Sequence, residues 1–87
     1  MFDVFLTNRA EKSFKLLGPK TRAKITEIIY NLRHSYFPTG YDAKKLKGVK
    51  TTYRIRIGDY RIIYRVDFAV KQIFILSISS RKKAYKR

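Results

Sequence analysis

The sequence predicts an α+β fold: a helical hairpin packed on one face of a small antiparallel sheet, in the order β-α-α-β-β-β. Three observations carry this expectation. Apolar residues recur at helical spacing between Ala10 and Tyr36. Gly18-Pro19 interrupts that stretch, so it holds two helices. Beyond Thr51 the chain turns to runs rich in Ile and Tyr with alternating polarity, the pattern of half-buried strands. A chain of 87 residues supports one domain, 1–87, with a small core.

The elements follow in order. Phe2–Leu6 reads as a short strand. Asn8, with Glu11 three residues on, resembles a helix N-cap pair, and Ala10, Phe14 and Leu17 supply the first helix with an apolar side. In the second helix Ile25, Ile28, Ile29, Leu32 and Tyr36 form one stripe, which Pro38 and Gly40 end. The two helices thus make an antiparallel hairpin over about 8–36. Residues 41–51 read as a basic loop, with Lys44, Lys45, Lys47 and Lys50 around Leu46 and Gly48. Thr52–Ile57 and Tyr60–Asp67 flank Gly58-Asp59, a two-residue hairpin turn. Gln72–Ser79 is the last strand, and residues 80–87 form a basic tail. The first strand is expected at a sheet edge or beside the last strand.

Charge narrows the partners more than the fold. Lys and Arg number 21 against 6 Asp and Glu, a net charge of +15. Such a domain attracts polyanions with salt-sensitive affinity. Nucleic acid leads, followed by an acidic protein and then an anionic membrane surface; composition does not choose among them. Seven Tyr and six Phe still provide the apolar surface a folded chain needs. The absence of cysteine excludes disulfides, thiolate nucleophiles and cysteine zinc sites, and points to a reducing cytoplasm. No apolar run reaches the roughly 18 residues of a membrane span, and the opening MFDVFLTNR lacks the signal-peptide pattern.

The hairpin carries the most specific signal. With the turn at Gly58-Asp59, Ile57 faces Tyr60, Ile55 faces Ile62 and Tyr53 faces Tyr64, which makes one face apolar. The other face sets Arg56 opposite Arg61 and Arg54 opposite Ile63, with Arg65 further along and no acid on the paired stretch. Like charges across a ladder cost up to roughly 1 kcal/mol. An anion belongs between those guanidiniums, and phosphate suits their fork geometry. The antiparallel last strand returns to the same end, bringing Arg81 there with Tyr85 just beyond. A diffuse basic face, with Tyr85 packed back on the sheet, is the competing reading.

Conventional catalytic sets are missing from the sequence. His34 stands alone on the second helix and reads as a surface residue. Asp3, Glu11, Glu27, Asp42, Asp59 and Asp67 are scattered without metal-ligand spacing, so neither a metal nor another cofactor is expected. Chemistry would have to come from cations, a phenol and the substrate. RNA permits this, because its 2′-hydroxyl is a built-in nucleophile whose attack needs positioning and charge stabilisation.

Three segments together resemble the RelE/ParE toxin superfamily: Lys45-Leu46-Lys47-Gly48, the hairpin from Tyr53 to Tyr64, and Ile78 to Tyr85 with its Arg81 and Tyr85. The resemblance covers nearly the whole chain and includes the element order. It implies a toxin of a type II toxin–antitoxin pair, an endoribonuclease that enters the ribosomal A site and cuts mRNA there without metal. By position it implies Arg56, Arg61, Arg81 and Tyr85 around the scissile phosphate, with Lys45, Lys47, Arg54 and Lys82 holding RNA. Tyr85 would stack on a base, Arg61 and Arg81 would stabilise the phosphorane, and Arg81 would protonate the leaving oxygen. The implied partners are the ribosome, mRNA and a small acidic antitoxin around a monomeric toxin, with no membrane.

The chain also departs from the family pattern. Bacterial members usually carry lysines where Arg54 and Arg56 stand here, and arginine cannot serve as a base at ordinary pH. That leaves no obvious general base, so the chain would rely on electrostatics and positioning, or borrow Lys47 or a ribosomal group. Ser80 stands where other branches place a different site residue. The ParE branch, which attacks gyrase without RNase chemistry, is the alternative, as is a non-catalytic RNA-binding module.

Overall fold

The computed structural model describes residues 1–80. It contains β1 (Asp3–Leu6), α1 (Asn8–Lys15), α2 (Pro19–His34), β2 (Asp42–Lys45), β3 (Thr52–Ile57), β4 (Tyr60–Asp67) and β5 (Gln72–Ser80). The two helices pack on a five-stranded sheet of order β1-β5-β4-β3-β2. The α+β class with helices on a sheet is therefore observed. Two details differ from the expected arrangement: the order has one more strand, and the sheet is mixed because β1 runs parallel to β5. The first strand occupies both expected places, a sheet edge and the side of the last strand.

The extra strand is β2, inside the stretch expected to be a basic loop. Asp-Ala-Lys-Lys has no β-branched or aromatic residue, so local preference does not announce it. It forms because β3 offers an open ladder, and its charged residues suit an exposed edge. The link to β3 turns through Gly48 and Thr51, both at positive φ, and closes with Leu46 N–H donating to the Thr52 carbonyl at 2.9 Å.

Helix limits also shift. Thr7, not Asn8, caps α1: its hydroxyl accepts from Ala10 N–H at 3.2 Å and donates to the Leu76 carbonyl at 3.1 Å. Asn8 is the first helical residue. Pro19 opens α2, which ends at His34 rather than Tyr36. Tyr36 instead meets Phe2, Tyr53 and Phe68 edge-on, and its carbonyl accepts the Tyr64 hydroxyl at 2.7 Å.

Ala10, Ile25, Ile28 and Leu32 from the helices bury against Ile55, Ile62, Tyr64, Ile73 and Ile75 from the sheet. Each large side chain so covered contributes about 1.5–3 kcal/mol. A bulge in β5 lets it serve this core. Ile63 pairs with Ser77 but Tyr64 pairs with Ile75, so Leu76 is extra and the inward residues run Ile73, Ile75, Ile78.

Candidate nucleic-acid interface

The helices cover one side of the sheet, and among the described residues no helix covers the opposite, open side. The β3–β4 register matches the sequence expectation pair for pair: Ile57–Tyr60, Arg56–Arg61, Ile55–Ile62, Arg54–Ile63 and Tyr53–Tyr64. Gly58, at φ +58, makes the tight turn that sets it. Alternation sends Ile55, Ile62 and Tyr64 into the core and puts Arg54, Arg56, Arg61 and Arg65 on the open side. Arg54 and Arg61 are half-buried, whereas Arg56 and Arg65 are exposed. Ser79 lies opposite Arg61, and β5 ends with Ser80 opposite Tyr60, at the Gly58-Asp59 end.

β2 adds what the sequence expectation lacked. Asp42 pairs with Arg56 and Lys44 with Arg54, so both belong to the open side. The arginine face is thus not free of acid. Asp42 reaches Arg54 Nη2 at 3.7 Å and Arg56 Nε at 3.5 Å. Lys45 pairs with Tyr53 and lies on the helix side, apart from the arginines. Lys47 is exposed in the turn that follows β2. Arg81, Lys82 and Tyr85 lie outside the described residues. Structure therefore brings Arg54, Arg56 and Arg61 together, separates Lys45 from them, and adds Asp42 and Lys44. The signal for these two was the period-2 relation between them, too short to stand out in a run of lysines.

The cluster is short of acceptors. Arg54 Nη1 and Arg61 Nε are buried with no hydrogen-bond partner among the described residues. An unpaired buried donor costs about 1–3 kcal/mol, more when charged. Phosphate oxygens would neutralise the Arg56–Arg61 repulsion, and would satisfy these buried donors once the side chains turn toward them. Further along the face, Arg65 lies over the Phe74 ring at 5.1 Å, and Phe74 stacks on Phe5 at 5.7 Å. This row crosses β4, β5 and β1 in register and ends in the exposed Phe5.

The tyrosines belong elsewhere. Burial, and then the neighbouring Tyr53 and Tyr36 hydroxyls, push the Tyr64 phenol well above its usual value; burial and then Tyr36 raise Tyr53. Both stay neutral and sit in the core layer, so neither is a base for the open face. His34 is exposed at the end of α2, edge-on to Tyr30 at 5.0 Å. Among the described residues no three His, Cys, Asp or Glu side chains gather to hold a metal ion. No described helix is long and apolar enough to cross a membrane.

A family model described as the ParE toxin of type II toxin–antitoxin systems, parDE, matches residues 4–85. The chain belongs to the RelE/ParE toxin family. Among its relatives is a Methanocaldococcus jannaschii protein assigned as a RelE1 toxin, 38% identical over 98% of this chain and 96% of that protein. The fold is similar to that in an archaeal RelE–RelB complex from Pyrococcus horikoshii, with TM-score 0.83, 30% identity and coverage of 92% and 94%. It is likewise similar to a RelB–RelE antitoxin–toxin complex from Methanococcus jannaschii, with TM-score 0.80, 29% identity and coverage of 93% and 94%. The family model bears the ParE name, but these relatives place the toxin with the RelE type.

Proposed function

We propose that this RelE-type toxin is a ribosome-dependent endoribonuclease that cuts mRNA in the A site and so stops translation. The observation that carries the reading is the Arg54–Arg56–Arg61 cluster with two buried guanidinium N–H groups lacking acceptors among the described residues. In the reaction the RNA 2′-oxygen attacks the adjacent phosphorus in line. The bond to the 5′-oxygen breaks, leaving a 2′,3′-cyclic phosphate and a 5′-hydroxyl. Arg56 and Arg61, with Arg81 from the segment after Ser80, stabilise the charge on the phosphorane. Arg54, Lys47 and Lys82 hold the RNA backbone, and Tyr85 stacks on a base. Arginine stays protonated, so the 2′-hydroxyl proton goes to a lysine or to a group on the ribosome, and water supplies the proton that the leaving 5′-oxygen takes up. No metal or cofactor is needed for these steps.

An acidic antitoxin is the proposed protein partner. Its acids would neutralise the open face, and its apolar residues would cover exposed side chains such as Phe5 and Leu16. Co-expression with it should abolish toxicity; a chain harmless to a prokaryotic host at full expression would sink the toxin reading.

Purified chain on ribosomes programmed with a defined A-site codon should yield mRNA ending in a 2′,3′-cyclic phosphate. A single 2′-deoxy nucleotide at the scissile position should block cutting, and cutting that survives the replacement rules the mechanism out. The ParE name of the family model supports one alternative, inhibition of DNA gyrase. Inhibited supercoiling with intact mRNA would decide for it.

A further inference from the structure

The ground between Arg54 and Arg56 is already taken by a carboxylate. Asp42 Oδ1 lies 3.7 Å from Arg54 Nη2, and Oδ2 lies 3.5 Å from Arg56 Nε. Both distances exceed the roughly 2.7–2.9 Å of a tight charge-assisted hydrogen bond. The Asp42 side chain is also 57% exposed, on an edge strand with no neighbour on its outer side among the described residues. It is therefore loosely held. The ladder partners around it are Lys44, Arg61 and Ile63, so register places no second acid beside these arginines. Two carboxylate oxygens do not satisfy three guanidiniums, and Arg54 Nη1 and Arg61 Nε remain without acceptors among the described residues.

We infer that Asp42 is a resident counter-anion, which competes with a nucleic-acid phosphate for Arg54 and Arg56 and yields its place when the phosphate arrives. The identity of the ligand rests on the nuclease reading; the competition rests on the geometry alone. A phosphate carries the same sign of charge and more oxygens, so it can engage Arg54, Arg56 and Arg61 together. Asp42 lowers the affinity of that encounter because its negative charge faces the incoming one. The toxin thus binds polyanions less tightly than its arginines alone would allow.

The test compares full-length wild type with Asp42→Asn, Asp42→Ala and Asp42→Glu. The probe is a short fluorescent single-stranded RNA with 2′-O-methyl sugars, which cannot be cut. Two charges about 4 Å apart in water interact by roughly 1 kcal/mol, or about fivefold in affinity. Asp42→Asn and Asp42→Ala should bind the RNA about fivefold tighter at low salt, and the gain should shrink as salt screens it. Asp42→Glu should bind like wild type. In an Arg54→Gln/Arg56→Gln background the gain should vanish. Unchanged or weaker binding by both neutral variants overturns the inference, and so does a gain that persists without the two arginines. Wild-type cleavage on programmed ribosomes is scored separately. Failure there with the arginine-dependent gain intact removes the nuclease reading and leaves the counter-anion in place.

Discussion

The covered and open faces of the β3–β4 hairpin alternate residue by residue along the same strands, yet they are completed in different ways. On the covered face Ile55, Ile62 and Tyr64 are fully buried, and the one hydroxyl among them donates to the Tyr36 carbonyl at 2.7 Å. On the open face Arg56 opposes Arg61, one shared carboxylate serves two guanidiniums, and buried donors lack partners among the described residues. The covered face finds all it needs within the chain. The open face does not, and a surface left incomplete at a cost in stability points outward to a ligand.

Substitutions can break or sharpen that contrast. Ile62→Ala empties a fully buried site and should lower stability by about 2–5 kcal/mol in urea denaturation; a loss well below that would mean the covered face is loosely packed. Arg61→Ala should invert the pattern. Repulsion with Arg56 and an unpartnered N–H both disappear, so stability should stay within about 0.5 kcal/mol of wild type or rise. Single-turnover cleavage on programmed ribosomes should fall about 100-fold, near 3 kcal/mol of transition-state stabilisation. Arg81→Ala should do the same, and near wild-type cutting would remove either residue from the catalytic list.

Tyr64→Phe probes the covered face more gently. Losing the hydrogen bond to Tyr36 should cost about 1 kcal/mol at neutral pH. The folded phenol ionises above its unfolded value near 10, so its contribution is present below that pH and lost as pH rises through the folded value. Wild type should therefore lose stability above pH 10 more steeply than Tyr64→Phe; parallel alkaline curves would contradict the burial argument. The smallest effect separates two neighbours. Lys44→Ala should reduce the salt dependence of RNA binding by somewhat less than one phosphate contact, about 0.7 in slope, while Lys45→Ala changes it little. Equal slopes would mean that β2 does not sort its lysines between the faces.

The hairpin was legible in the sequence because a two-residue turn fixes register and every pair follows from it. The helical stripe was legible through Ile25, Ile28 and Leu32, all fully buried. The parallel partnership of β1 with β5 was only half legible, since periodicity sorts residues to a face and says nothing of strand direction. Three features stayed hidden for physical reasons. β2 is made by its neighbour rather than by its own residues. With β2 unseen, Asp42 had no face and seemed one of six scattered acids. The cap at Thr7 depends on a carbonyl far along the chain as well as on local sequence. Within the candidate site, the Arg54, Arg56 and Arg61 grouping was readable and its counter-anion was not, and the face on which Lys45 lies could not be read while β2 was taken for a loop.

The hydrogen bond from Thr7 to Leu76 spans 69 residues of chain, and it has a kinetic meaning. β5 sits between β1 and β4 in the sheet yet is the last of the strands to be synthesised. Closing a loop of that length costs about 4 kcal/mol of chain entropy beyond a constant, so this contact forms late. The β3–β4 hairpin is local and can form within about 1–10 μs. It exposes its opposed arginines before the core exists, which makes the early chain one that salt helps to fold. β1 has no ladder partner until β5 arrives, and the same docking event sets Ser79 beside Arg61. Order of assembly thus separates the two faces: the arginines gather in the early hairpin, and the step that seals the core comes later, with β5.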